Sequence, residues 1–148
     1  MILYDTTDRM GFFEFGIQIP ILDSKVTRTY EALVQDPALE PRVADWHIDR
    51  IDESLVKEDL QRVHSRGYVD RLFSEKLEKE IIRTYELIDD QGRYYRYNPQ
   101  EAVLPLPRLF DRILQRLAGT TQCYRTALET GFCFYFCGGM HNDQRDYC

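Results

Sequence analysis

No apolar run in this chain approaches the ~20 residues that a helix needs to cross a bilayer, so no segment reads as a membrane span and no membrane partner is expected. Cysteine is scarce. There are four in 148 residues (Cys123, Cys133, Cys137 and Cys148), two of them inside an apolar stretch. Thiols so few and so placed argue against a disulfide framework and fit a reducing cytoplasm. A surplus of positive charge is also missing. Nineteen Lys and Arg face 25 Asp and Glu, a net charge of −6, which gives no general attraction to nucleic acid. The opening MILYDTTDRM lacks the basic start and long apolar middle of a secretory signal. There is no P-loop or dinucleotide fingerprint, no serine in a G-x-S-x-G elbow, no internal repeat and no low-complexity tract.

What the chain does have is the material of a globular core. Hydrophobic residues make up 43% and aromatics 13%, which is ordinary for a folded protein and wrong for a disordered one. The length suits one domain over residues 1–148. A chain of that size can bury roughly 70% of the surface it exposes when unfolded.

Element signals alternate. Met1 to Tyr4 is an apolar run closed by Asp5-Thr6-Thr7-Asp8 and predicts a strand. Gly11 to Asp23 reads as a loop. Ser24 or Thr27 caps a helix running to Val34, which Pro37 and Pro41 end. Trp46 to Ile51 alternates and predicts a short strand with His47 facing solvent. A helix from Lys57, with Leu60 and Val63 inward, is broken by Gly67. A second helix takes Tyr68, Val69, Leu72 and Phe73, and a third spans Glu75 to Leu87. Asp89-Asp90-Gln91-Gly92 is a turn, and Tyr94 to Gln100 is an aromatic, basic loop. The strongest helix begins near Pro107, a favoured first position. Leu109, Phe110, Ile113, Leu114, Leu117, Tyr124 and Leu128 follow helical spacing. Gly131 suits the position just past its end. Phe132 to Cys137 is apolar on both faces, the pattern of a central parallel strand covered by helices. A helix feeding such a strand is the step of a layered α/β fold.

Several constellations have plain readings. Cys133-x3-Cys137-x3-His141-x6-Cys148 has the residue types of a zinc knuckle. On a strand, however, the first two thiols stand about 13 Å apart, whereas thiolates on one tetrahedral zinc sit within roughly 4 Å. They read instead as small buried apolar residues. His64 reads as a histidine near a helix end, favoured by the dipole or held by a structural hydrogen bond. Glu75 to Glu80 reads as a solvated helix face. Arg93, Tyr94, Tyr95, Arg96 and Tyr97 could stack on a single strand of nucleic acid, but the negative charge favours a loop packing its tyrosines. His141 is different. It follows an apolar strand and two glycines, and sites in open α/β sheets form beyond the carboxyl ends of strands. A catalytic role is the expectation there.

Three stretches together resemble the zinc-dependent histone deacetylase superfamily, in particular its bacterial deacetylase-like branch. They are Glu58-Asp59-Leu60-Gln61-Arg62-Val63-His64-Ser65-Arg66-Gly67-Tyr68-Val69; then Tyr97-Asn98-Pro99 with Pro105 and Ala118-Gly119-Thr120; and Gly138-Gly139-Met140-His141. The likeness covers nearly all of residues 1–141. It implies an open, mostly parallel three-layer α/β sheet of the arginase/deacetylase kind, of which this chain is the N-terminal portion. It also implies hydrolysis of acetyl-lysine or an acetylated amine, with one zinc polarising the carbonyl and activating water. By resemblance His141 is the first of a proton-handling histidine pair, and Gly139 lines the substrate channel.

The family pattern then stops. Asn142 stands where the second histidine belongs, and an amide is no base near neutral pH. Residues 142–148 depart from the family, and its zinc ligands and oxyanion tyrosine, all downstream of the motif, have no counterpart. The expectation is a chain that binds no catalytic zinc and is inactive alone. A strand edge left for absent neighbours predicts a homo-oligomer. The alternative is a non-catalytic oligomerising or interaction module.

Overall fold

The computed structural model describes residues 1–9, 11–20 and 23–137, with side chains omitted at Asp23 and Ser24. The chain forms two compact units interleaved along the sequence. Unit 1 comprises Met1–Met10, Leu22–Ser54 and Arg112–Gly139; unit 2 comprises Gly11–Ile21, Leu55–Asp111 and Met140–Cys148. The fold is mixed α/β, with helices and a small parallel sheet. Among the described residues no helix is long and apolar enough to cross a membrane.

Unit 1 carries the sheet. Strand β1 (Ile2–Leu3) lies between β2 (His47–Ile48) and β3 (Phe134–Tyr135), parallel to both. Register sets Ile2 against His47 and Phe134, and Leu3 against Ile48 and Tyr135. Helix α1 (Asp23–Val34) and the short α2 (Val43–Trp46) occupy the crossover from β1 to β2. The central position explains why Leu3 is fully buried. β3 is the apolar stretch expected to be central, yet among the described residues it pairs only with β1, and Phe134 is half exposed.

Unit 2 is mostly helical, with α3 (Lys57–Leu60), α4 (Arg66–Leu72) and α5 (Leu77–Thr84). Gly67 does not break a helix; it lies in the first turn of α4. The reason is Ser65, whose Oγ accepts from the Tyr68 amide at 3.3 Å and caps the helix ahead of the glycine. Leu60 is buried as expected, but Val63 lies beyond the end of α3 and is exposed. The segment 11–23 is not all loop, since Phe12–Phe15 form a 3₁₀ turn with Phe12 and Phe15 buried. The charged run is not wholly solvated either. Glu80 is buried, its Oε1 2.6 Å from Arg71 Nε, and its Oε2 meets no hydrogen-bond donor among the described residues.

The longest helix, α6 (Arg108–Thr130), starts after Pro107 and is followed by Gly131 at φ +84°, as the sequence predicts. Leu109 and Phe110 are buried, but Tyr124 and Leu128 are exposed. A different face of the helix is engaged over its last turns. Gln122 Oε1 accepts from the Asp52 amide at 2.7 Å and the Glu53 amide at 3.2 Å, its Nε2 donates to the Arg50 carbonyl at 3.0 Å, and Arg125 pairs with Glu53. Three backbone groups of the loop after β2 thus fix the helix's rotation, and positions 124 and 128 turn outward.

Candidate functional site

The strand order β2-β1-β3 reverses at β1: the first crossover leads to one side of it and the chain returns on the other. In open α/β sheets ligands bind beyond the carboxyl ends of the strands at such a switch point, which here lies between β1 and β3. Asp5 and Asp8 follow β1; Phe136 and Cys137 follow β3. Gly138-Gly139-Met140-His141 come next in sequence, and Gly139, His141 and Asn142 lie outside the described residues.

Asp8 is the centre of what is described. Its side chain is 1% exposed and that of Arg116 is 13% exposed, with Arg116 Nε 3.2 Å from Asp8 Oδ1. Tyr135, from β3, donates its phenol to Asp8 Oδ2 at 2.5 Å. Burial, and then the hydrogen bond and charge of Asp8, push the Tyr135 phenol far up, so it stays protonated and remains a donor. Cys137 Sγ lies 3.7 Å from the Asp8 backbone carbonyl. The ring of Tyr135 rests against Gly119 of α6, where an added Cβ would meet the ring and hydroxyl at 2.6 Å. The absence of a side chain at Gly119 lets the tyrosine reach the carboxylate. With one oxygen on a guanidinium and the other on a phenol, Asp8 is an anchor rather than a free base.

Asp5 closes the turn after β1. Its Oδ1 accepts from the Thr7 amide at 2.8 Å and the Thr7 hydroxyl at 2.6 Å, and its Oδ2 from the Ile51 amide at 3.3 Å. Burial alone would raise its pKa. The Thr7 and Ile51 hydrogen bonds and the Arg50 charge outweigh burial and hold it below the usual 3.8. A depressed carboxylate contributes stability above its unfolded pKa and loses that contribution as pH falls through the folded one. Unit 1 should therefore weaken as pH drops below about 4. A pH series of urea midpoints should show Asp5→Asn flattening this slope; an unchanged slope in the variant would refute the assignment.

His47 was expected to face solvent. It is half-buried, with Nε2 3.0 Å from the Tyr4 carbonyl and Nδ1 3.0 Å from the Tyr30 hydroxyl. A carbonyl only accepts, so Nε2 carries the proton and Nδ1 accepts from Tyr30. Burial, with the charges of Tyr4 and Asp49, raises the Tyr30 pKa and keeps that hydroxyl a donor. The ring also sits among aromatics, 4.7 Å from Tyr30 and 5.9 Å from Trp46. His64 lies between α3 and α4, half-buried and edge-on to Tyr68 at 5.4 Å. Of the tyrosine-rich loop, Tyr97 packs inward while Tyr94 and Tyr95 are exposed.

A zinc of the kind implied by the resemblance would need a carboxylate and histidine set. Among the described residues no three His, Cys, Asp or Glu side chains converge on a point. Asp5 and Asp8 spend their oxygens on the donors named above. An Asp-x-His spelling does occur at Asp45-Trp46-His47, but it precedes the motif; Asp45 pairs with Arg42 at 2.9 Å and His47 is committed to Tyr30 and Tyr4. His141, Asp143, Asp146 and Cys148 lie outside the described residues.

The sequence singles out His141, which lies outside the described residues, and does not point to the Asp8–Arg116–Tyr135 anchor. One signal was available: Tyr135 puts the only hydroxyl into the run Phe132–Cys137, and a buried hydroxyl needs a partner. Compared with family models, with curated proteins and with solved structures, the chain matches none.

Proposed function

We propose that this chain is the N-terminal part of a deacetylase-like amidohydrolase domain, an open, mostly parallel three-layer α/β fold, and that by itself it does not deacetylate. The observation that supports this reading is positional. The run Gly138-Gly139-Met140-His141 follows β3 in sequence after Phe136 and Cys137, and β3 and β1 flank the switch point of a parallel sheet. In this reading His141 is the carboxylate-oriented member of the histidine pair and Gly139 lines the channel. Asn142 stands where the second histidine of that pair would be, so the pair's proton handling is not complete. The test is a fluorogenic acetyl-lysine assay on the purified chain with added zinc. The expected result is no turnover above a blank of zinc alone. Turnover abolished both by chelator and by His141→Ala would overturn the proposal.

A second reading, a non-catalytic module that self-associates, has its own observation. Tyr124 and Leu128 on α6, with Phe132 and Phe134 at β3, are 65%, 70%, 61% and 52% exposed, all in unit 1. An apolar surface beside a strand edge favours a second copy of the chain. Sedimentation of the same preparation tests this reading, since a mass that stays monomeric at every concentration removes it.

A further inference from the structure

We infer that two copies of the chain join through β3, whose open edge pairs antiparallel with the same edge of the second copy across a two-fold axis at Phe134. This rests on the reading of the chain as a self-associating module and adds where the copies meet and in what register. β3 bonds β1 through alternate residues. The Phe134 amide donates to the Met1 carbonyl at 3.0 Å and the Phe136 amide to the Leu3 carbonyl at 3.2 Å. Peptide groups along a strand alternate sides, so Cys133 and Tyr135 direct their N–H and C=O groups away from β1. Among the described residues none of these groups meets a hydrogen-bond partner. A strand edge with open donors and acceptors is a template for another strand.

The composition of the edge selects a second copy. Charged side chains and proline are the usual devices that blunt an edge, and residues 131–139 contain neither. The other outer strand differs, since β2 is flanked by Asp45, Asp49 and Arg50. A two-fold interface requires one patch to complement itself. An uncharged strand meets its own copy without setting like charges opposite one another. Cys133 and Tyr135 also lie symmetrically about Phe134, and that fixes the register. With Phe134 on the axis, Cys133 stands opposite the partner's Tyr135 and Tyr135 opposite the partner's Cys133. Each such pair exchanges both of its N–H···O bonds, so every open group of the two residues is used. Phe134 takes the position between them, where facing Cα atoms approach to about 4.5 Å. Its ring is half exposed in the single copy and edge-on to Phe136 at 5.4 Å. The two-fold sets it against the partner's Phe134, an aromatic pair that buries both.

The experiment is sedimentation equilibrium of the full chain with two variants. The expected result is a monomer–dimer equilibrium. Phe134→Lys leaves the backbone bonds to β1 and sets two like charges against each other on the axis. It should raise the dimer dissociation constant about tenfold or more, each 1.4 kcal/mol being tenfold, while Trp46 fluorescence in urea checks that unit 1 stays folded. Phe134→Cys, treated with diamide, should give a covalent dimer bridged from residue 134 to residue 134, because the expected Cα separation suits a disulfide. Proteolysis and mass spectrometry identify the bridge. A monomer at every concentration would overturn this inference and the self-association reading together. A dimer that Phe134→Lys leaves intact, or a Phe134→Cys dimer bridged only through other cysteines, would overturn the inference and leave self-association standing.

Discussion

Replacing Asp8 by Ala is expected to destabilise unit 1 by about 3–5 kcal/mol, the scale seen when one partner of a buried ion pair is removed. The reason is what remains behind. Arg116 is 13% exposed and would keep its charge with no carboxylate beside it. The Tyr135 phenol, held 2.5 Å from Asp8, would lose its acceptor. Asp8→Asn keeps the shape and an acceptor for Tyr135 but not the charge, so its loss should fall between that of Ala and none. Tyr135→Phe should cost only about 1–3 kcal/mol, because it leaves the ion pair intact and strands a single acceptor. Trp46 is the only tryptophan and lies in unit 1, so its fluorescence in urea follows this unit. An Asp8→Ala midpoint indistinguishable from the parent would sink the account of Asp8 as an anchor.

Gly16→Ala should be comparably severe in unit 2. Gly16 has φ +74°, and a Cβ there would collide with the backbone carbonyl oxygen of Asn98. The left-handed conformation costs an alanine about 1–2 kcal/mol. Overpacking against backbone, which cannot rotate away as a side chain can, adds about 1–3 kcal/mol. The site is also a junction. The Asn98 amide donates to the Gly16 carbonyl at 2.8 Å and the Gln18 amide to the Arg96 carbonyl at 2.8 Å, around an antiparallel bridge of Ile17 with Tyr97. Hydrogen exchange at the Gln18 and Asn98 amides should accelerate by about two to three orders of magnitude, each 1.4 kcal/mol being tenfold. Gly92→Ala is the control, with φ +75° and open space around it, so only the conformational cost applies. Equal effects at the two positions would show that the collision with Asn98 contributes nothing.

The elements that sequence reasoning located are those whose causes are local. The first strand, α1, the turn at Asp89–Gly92, α6 and its closing Gly131 follow from spacing, capping and turn residues a few positions apart. The elements it misplaced depend on partners far along the chain. Tyr124 and Leu128 obey helical spacing, yet Gln122 turns that face outward by bonding backbone some 70 residues away. His47 alternates like a solvent-facing residue until the Tyr4 carbonyl, 43 residues earlier, accepts a hydrogen bond from its ring. Glu80 reads as part of a solvated run until Arg71 meets it. The candidate site divides in the same way. The expectation for His141 rests on a contiguous motif, whereas the anchor joins residues 108 and 127 positions apart, which no window of sequence brings together.

The sheet's connectivity also bears on how the chain is made. Central strand β1 is only Ile2–Leu3, its partners Phe134 and Tyr135 come at the far end of the described chain, and the N-terminal ammonium bonds the Phe132 carbonyl 131 positions on. At about 5–20 residues per second of ribosomal synthesis, β1 waits on the order of ten seconds or more for the partner that completes one side of it. During that interval Leu3 and Tyr4, buried in the finished fold, are exposed on a nascent chain. Contacts of such sequence separation close late and slowly. Unit 1 is therefore the half of this protein that depends on protection during translation, and the half whose yield should respond to a chaperone that holds nascent apolar segments.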